Sequence, residues 1–185
     1  TLDSPLNDAA TVNLQALDAA GAVAAPGAIT YVDATGVDIA RINTTSTANL
    51  TAGGDVTQSG PINATTLTVD TTGAAANGAI ILTNAANDVS TINLSSGNNQ
   101  NISYTDATGF AVGVVNAGTG NVNLIASGNI TDGDGAVDIT GTVLTVNTTG
   151  DFGAAGDYMD TAVDQINFTA AANAYVNEAD NLLLG

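Results

Sequence analysis

The chain has 185 residues, with 18 acidic side chains, one basic side chain, no histidine and no cysteine, for a formal net charge of −17. The missing cysteine and histidine exclude a disulfide framework, a thiol nucleophile, a Ser-His-Asp triad and a His- or Cys-ligated zinc. Arg41 is the lone cationic side chain. Neutralising several phosphates is therefore out of reach, and neither nucleic acid nor an anionic membrane surface is expected as a partner.

The acidity is not that of a disordered tail, which combines high net charge with low hydrophobicity. Hydrophobic residues make up 44% of the chain, charged residues only 10% and aromatics 4%, with a mean hydropathy of +0.22. Thr, Asn, Ser, Ala and Gly fill the remainder, as in a strand-rich, turn-rich extracellular protein. Apolar runs such as Ala79-Ile80-Ile81-Leu82 are far shorter than the roughly 20 residues of a spanning helix, so no membrane insertion is expected. The chain opens Thr-Leu-Asp-Ser-Pro, without a basic n-region or an apolar h-region. The missing initiator Met suggests a processed chain or a piece of a larger one.

Taken in chain order, the sequence reads as one solenoid segment over 1–185 with internal repeats. Leu6-Asn7-Asp8-Ala9-Ala10 matches Leu82-Thr83-Asn84-Ala85-Ala86 and closes a partial repeat over 1–28. Within it, Ala-rich Leu14–Ala25 is a helical candidate, limited to a short cap by Gly21 and Pro26. A repeat over 29–101 follows, then another over 102–175, and 176–185 form the C-terminal end. Ile29-Thr30-Tyr31-Val32-Asp33-Ala34-Thr35-Gly36 and Ile102-Ser103-Tyr104-Thr105-Asp106-Ala107-Thr108-Gly109 agree at six of eight positions, 73 residues apart. Leu67–Gly73 and Leu144–Gly150 agree at six of seven, 77 apart. Leu50–Thr57 corresponds to Leu124–Thr131, and Val89–Leu94 to Val163–Phe168, both at 74. Phe168–Ala179 is the second helical candidate, as a terminal cap or another degenerate coil.

A shorter period lies inside the long one. The apolar pairs Ile92/Leu94, Ile102/Tyr104, Val112/Val114 and Val122/Leu124 recur about every ten residues, each with the alternation of a half-buried strand. Turn clusters such as Ser96-Gly97-Asn98-Asn99 and Thr131-Asp132-Gly133-Asp134-Gly135 separate them. Two or three strands then make one coil of roughly 20–25 residues, a solenoid period. The expected fold is all-β, a parallel β-helix of about nine coils and about 40 Å. A β-sandwich tandem or a β-prism-like array is the alternative; the lack of Trp and the dense Gly/Asn punctuation favour the solenoid.

The phrases Leu50-Thr51-Ala52-Gly53-Gly54-Asp55-Val56-Thr57-Gln58-Ser59-Gly60, Leu82-Thr83-Asn84-Ala85-Ala86-Asn87-Asp88 and Asn121-Val122-Asn123-Leu124-Ile125-Ala126-Ser127-Gly128-Asn129-Ile130-Thr131 resemble the repeats of large filamentous-haemagglutinin-like exoproteins. These are two-partner secreted adhesins of Gram-negative bacteria. The resemblance covers most of residues 1–170 and is to the repetitive shaft, with no counterpart of that family's N-terminal secretion domain. It implies a right-handed parallel β-helix, export, and an extracellular or bacterial cell-surface location.

The candidate chemistry is sparse. Asp132-Gly133-Asp134-Gly135-Ala136-Val137-Asp138 sets alternating carboxylates on a Gly-rich turn, which suits a hard cation such as Ca2+ with oxygen ligands. It lacks the distal Glu of an EF-hand loop, and a solvated turn at a coil corner is the competing reading. Asp151, Asp157, Asp160 and Asp164 read as a solvated acidic edge. Arg41 is expected to pair with Asp38, Asp33 or an acid on an adjacent coil. Asp132/Asp134 or Asp157/Asp160 would space two carboxylates for glycoside hydrolysis, but no aromatic platform is expected to accompany them. A lyase would need more than one cation. Asn-x-Thr triplets such as Asn43-Thr44-Thr45 are expected by chance in this composition, and the Thr spacing is too irregular for an ice-binding face.

The resulting expectation is a non-enzymatic extracellular structural or adhesive segment with no required cofactor. Its partners would be further repeats or other copies of itself, end to end, and a cell-surface glycan or protein. A Ca2+-dependent glycan- or receptor-binding module is the second reading, and a carbohydrate-active β-helix enzyme the third.

Overall fold

The computed structural model describes residues 1–21, 25–73, 77–179 and 182–184. The first half carries β1 (Thr11–Gln15), β2 (Ile29–Asp33), β3 (Val37–Asn43), β4 (Thr47–Ala52), β5 (Val56–Gln58), β6 (Ile62–Asp70), β7 (Ile80–Leu82) and β8 (Asp88–Ser95). The second half carries β9 (Ile102–Asp106), β10 (Phe110–Asn116), β11 (Val122–Ala126), β12 (Ile130–Asp132), β13 (Ile139–Thr148), β14 (Met159–Ala170), β15 (Val176–Glu178) and β16 (Leu183–Leu184). They join in one 16-stranded sheet, and every strand pair in it is parallel. The fold is a parallel β-solenoid of about seven turns.

Alternation drives it. Along β6, Ile62, Ala64, Leu67 and Val69 are buried while the residues between them are not. Each turn presents three such inward-facing segments. One ladder runs Tyr31, Leu50, Val69, Leu94, Val115, Ile139, Thr161 and Glu178. The next face carries Val37, Val56, Ile80, Ile102, Val122, Leu144 and Ile166. The third includes Phe110, Ile130 and Phe152. Stacking makes the inward column one continuous core, which no single turn could bury alone.

The count of turns corrects the expected nine. On the second face successive turns are 19 to 24 residues apart, from Val37 to Val56 and from Val56 to Ile80 at the extremes. Corner loops absorb residues that an even ten-residue spacing would assign to extra strands. A local correction has the same origin. The inward pair of β10 is Val112 and Val115, because the register against β8 shifts between Val112 and Val114; Val114 is only half-buried.

The long repeat has a geometric meaning that a sequence offset cannot show. Tyr31 lies on the first face and its counterpart Tyr104 on the second. Val56 lies on the second face and its counterpart Ile130 on the third. Val69 and Val146 repeat the step from the first to the second. The long repeat is thus three turns plus one face, so successive copies of a motif are rotated around the rod. The partial copy obeys the same rule in a different register from the expected one. Asn7 Nδ2 donates to the Leu2 and Val32 carbonyls, as Asn87 Nδ2 donates to those of Leu82 and Thr105. Leu2, not Leu6, is the counterpart of Leu82.

The repeated octapeptide is a corner device. The Tyr104 hydroxyl donates to Asp106 Oδ2 at 2.7 Å, and Asp106 also accepts from the N–H groups of Val89, one turn below, and Thr108. Tyr31, Asp33, Ala9 and Thr35 make the same set. A buried carboxylate thereby satisfies backbone donors that the bend takes out of the ladder. Elsewhere Thr and Asn do this work: Thr44 Oγ1 donates to the Gly27 carbonyl, and Asn101 Oδ1 accepts from Asn121 N–H. At Gly60 a Cβ would lie 1.9 Å from the Ala40 carbonyl oxygen, so only glycine lets the turns approach there.

Neither helical candidate is helical among the described residues. Leu14 and Gln15 belong to β1, while 22–24 of the first candidate lie outside the described residues. Phe168–Ala170 extend β14 and Val176–Glu178 form β15. Pairing with a neighbouring turn overrides the modest helix propensity of Ala. A 3-10 turn occupies Gly97–Asn99, with Asn98 at φ 46 and Asn99 at φ 61, the left-handed region that Asn tolerates.

Candidate metal centre

Asp132, Asp134 and Asp138 come together where the solenoid wall is interrupted. Asp132 pairs with Val112 and Ile139 with Val115, so four extra residues leave the wall between two adjacent turns. Gly133 through Val137 are all exposed. Asx turns shape the loop: Asp132 Oδ1 accepts from Asp134 and Gly135 N–H at 2.6 and 3.0 Å, and Asp134 Oδ1 accepts from Ala136 N–H at 2.8 Å. Gly135 takes φ +87, open to glycine at no cost. The chain then returns to the wall at Asp138.

Asp138 is the unusual member. It is fully buried, and its Oδ2 accepts from the Asp160 N–H on the next turn at 3.0 Å. Its Oδ1 is buried without a hydrogen-bond partner, the one such side-chain atom among the described residues. Burial pushes the carboxyl up to about 7; the Asp160 N–H bond opposes this, and the charges of Asp132, Asp134 and Asp160 reinforce it. One carboxylate oxygen from each of Asp132, Asp134 and Asp138 lies within 4.8 Å of the others.

The second acidic group does not converge among the described residues. Asp151 accepts from Asn173 Nδ2 and Asp160 from Asn177 Nδ2, whereas Asp157 and Asp164 are exposed. One feature there was not legible in sequence. Tyr158, 50% exposed, makes an edge contact with Tyr175 at 6.4 Å between ring centroids, beside Asp157 and Asp160. An aromatic surface does accompany those acids, because stacking places residues 17 apart side by side.

Arg41 is exposed on β3 and forms no salt bridge among the described residues. The expected partners are engaged elsewhere: Asp33 is buried against Tyr31, and Asp38 accepts from Ser59 Oγ at 2.5 Å and Thr57 Oγ1 at 3.4 Å. Asp160, which fixes Asp138, was assigned by sequence to the other acidic group. Only the pairing of adjacent turns connects the two.

A family model described as "Repeats of unknown function (DUF5649)" matches residues 26–95, the segment from β2 through β8. No curated protein and no solved structure matches the chain.

Proposed function

We propose that the chain is a segment of a non-enzymatic extracellular shaft, structural or adhesive, of the filamentous-haemagglutinin-like kind that its phrases resemble. The observation that carries this reading is the stack itself. An uninterrupted core is wrapped by polar, mostly uncharged corners, and in the N-terminal turn the outer edge of β1 has no strand partner among the described residues. A groove of about 320 Å³ runs along that edge, lined by Leu2, Leu14, Gln15 and Ile29 among others. An open parallel edge recruits strand, either from a continuing chain or from another copy. A head-to-tail contact of this kind does not close, so it gives filaments.

The other end is more guarded. Glu178 reaches back to the Thr161 hydroxyl and the Val163 N–H, satisfying groups that a further turn would otherwise take. The outer edges of β15 and β16 have no strand partner among the described residues, so a head-to-tail contact would join them to the β1 end of the next copy. Electron microscopy and light scattering of the isolated chain at low and high ionic strength test the assembly. Elongated particles that lengthen as salt screens the −17 charge support it, and a monodisperse monomer under every condition overturns self-stacking.

Exposed Tyr158, edge-on to half-buried Tyr175, favours a second reading, a glycan-binding face on the shaft, since sugar rings stack on exposed aromatics. Loss of glycan binding in Tyr158→Ala with an unchanged melting temperature would support that reading.

A further inference from the structure

We propose that Asp132, Asp134 and Asp138 form a Ca2+ site that pins the 133–137 loop to the solenoid wall. The inference is independent of the shaft reading and rests on the orphaned, fully buried Oδ1 of Asp138 together with the convergence of three carboxylates. A folded protein rarely leaves such an atom unmatched, because burying it without a partner forfeits its hydration.

Each carboxylate has one oxygen committed to a backbone N–H: Asp132 to Asp134 and Gly135, Asp134 to Ala136, and Asp138 to Asp160. Those bonds hold the groups in place. The second oxygen of each accepts no hydrogen bond among the described residues and is left to a cation. The local pattern has no donor for it: Arg41 is the chain's lone basic side chain and lies on β3, while the loop contributes only Gly, Ala and Val beside its acids. A hard divalent cation with oxygen ligands is the group that fits.

Geometry and hydration select among such cations. The three ligand oxygens lie within 4.8 Å of one another around an exposed loop, and calcium accepts such a flexible, irregular oxygen set, whereas magnesium demands near-ideal octahedral geometry and gives up water reluctantly. Three carboxylates fall short of calcium's usual six to eight ligands, roughly, so water and loop carbonyls complete the shell. Asp160 adds negative charge one turn away without supplying a ligand.

The test is calorimetric titration of the chain with calcium chloride, with parallel melting curves in calcium and in chelator. One equivalent of calcium should bind in the range of about 0.1–1 mM typical of extracellular modules, and raise the melting temperature. Asp134→Asn, at an exposed position that leaves the fold intact, should weaken binding by about tenfold or more, since affinity follows ligand charge. Asp138→Asn should abolish the calcium response while raising the melting temperature in chelator, because an amide removes the buried charge. Asp157→Asn, on the neighbouring acidic edge, should change affinity less than about twofold, and magnesium should bind at least about tenfold more weakly than calcium. No binding up to about 10 mM calcium would overturn the site, as would equal weakening by Asp157→Asn and Asp134→Asn, which would mean a diffuse counterion cloud.

Discussion

Removing the phenol oxygen of Tyr104 tests whether buried carboxylates hold the corners. Tyr104 is fully buried and donates to Asp106 Oδ2 at 2.7 Å; Asp106 is 2% exposed and also takes the Val89 and Thr108 N–H groups. Tyr104→Phe keeps the ring and its edge contact with Phe110 at 5.1 Å, and deletes one hydrogen bond to a charged acceptor. The expected cost is about 1.5–3 kcal/mol. Asp106→Ala strands three donors, the Tyr104 hydroxyl and two backbone N–H groups, and should cost about 3–9 kcal/mol at about 1–3 each. That is a large share of the roughly 5–15 kcal/mol of a typical domain. Urea denaturation of both single variants and the double variant gives the coupling energy, expected at about 1.5 kcal/mol or more. The equivalent Tyr31→Phe should cost less in global unfolding, because its corner ties down the outermost turn, where local opening is cheapest. A Tyr104→Phe cost below about 0.5 kcal/mol, or additive single changes, would refute the account of the corner as a charge-assisted bridge.

Burial works to raise the carboxyl of Asp33, but the Tyr31 hydroxyl and the Ala9 and Thr35 N–H groups outweigh it and hold it below its usual value. A lowered native pKa gives stability that is present above the unfolded value of about 3.9 and is lost as pH falls through the native one. The stability gap between wild type and Asp33→Asn should therefore be full near neutrality and close below about pH 4, as read by melting curves across pH. Burial and the adjacent Asp33 charge push the Tyr31 hydroxyl up to about 12, so its ultraviolet titration should come well above that of a free tyrosine. Arg41→Ala should change stability by less than about 0.5 kcal/mol in chemical denaturation, as for a surface residue without an ion pair. Gly60→Ala should cost about 3 kcal/mol or more or reduce the yield of folded protein, since its methyl group meets the Ala40 carbonyl of the neighbouring turn.

The sequence by itself determined the fold class. Alternating Val, Ile and Leu punctuated by Gly, Asn and Asp is a local signal, because strand alternation has a period of two and turns need particular backbone angles. The internal copies, and the absence of thiol and imidazole side chains, are likewise properties of composition and order. The choice of Asp132, Asp134 and Asp138 was also legible, because the three sit within seven residues of chain and the Asx turns that gather them are local.

Tertiary structure decided whatever depends on which residues lie one turn apart. The winding is uneven, 19 to 24 residues per turn on the second face and 17 to 25 on the first, so no fixed offset read along the chain gives the lateral neighbours. That is why the Tyr104–Asp106 pair could be seen as a repeat but not as an anchor for Val89. It is also why Asp160 was grouped apart from Asp138, and Tyr158 was not placed beside Tyr175. Arg41 was assigned a carboxylate partner by proximity in sequence, yet the inward turn of Asp33 and the bond from Ser59 to Asp38 belong to the stack. Burial of Asp138, which turns an ordinary acidic loop into a centre with an unmatched oxygen, required the next turn to close over it.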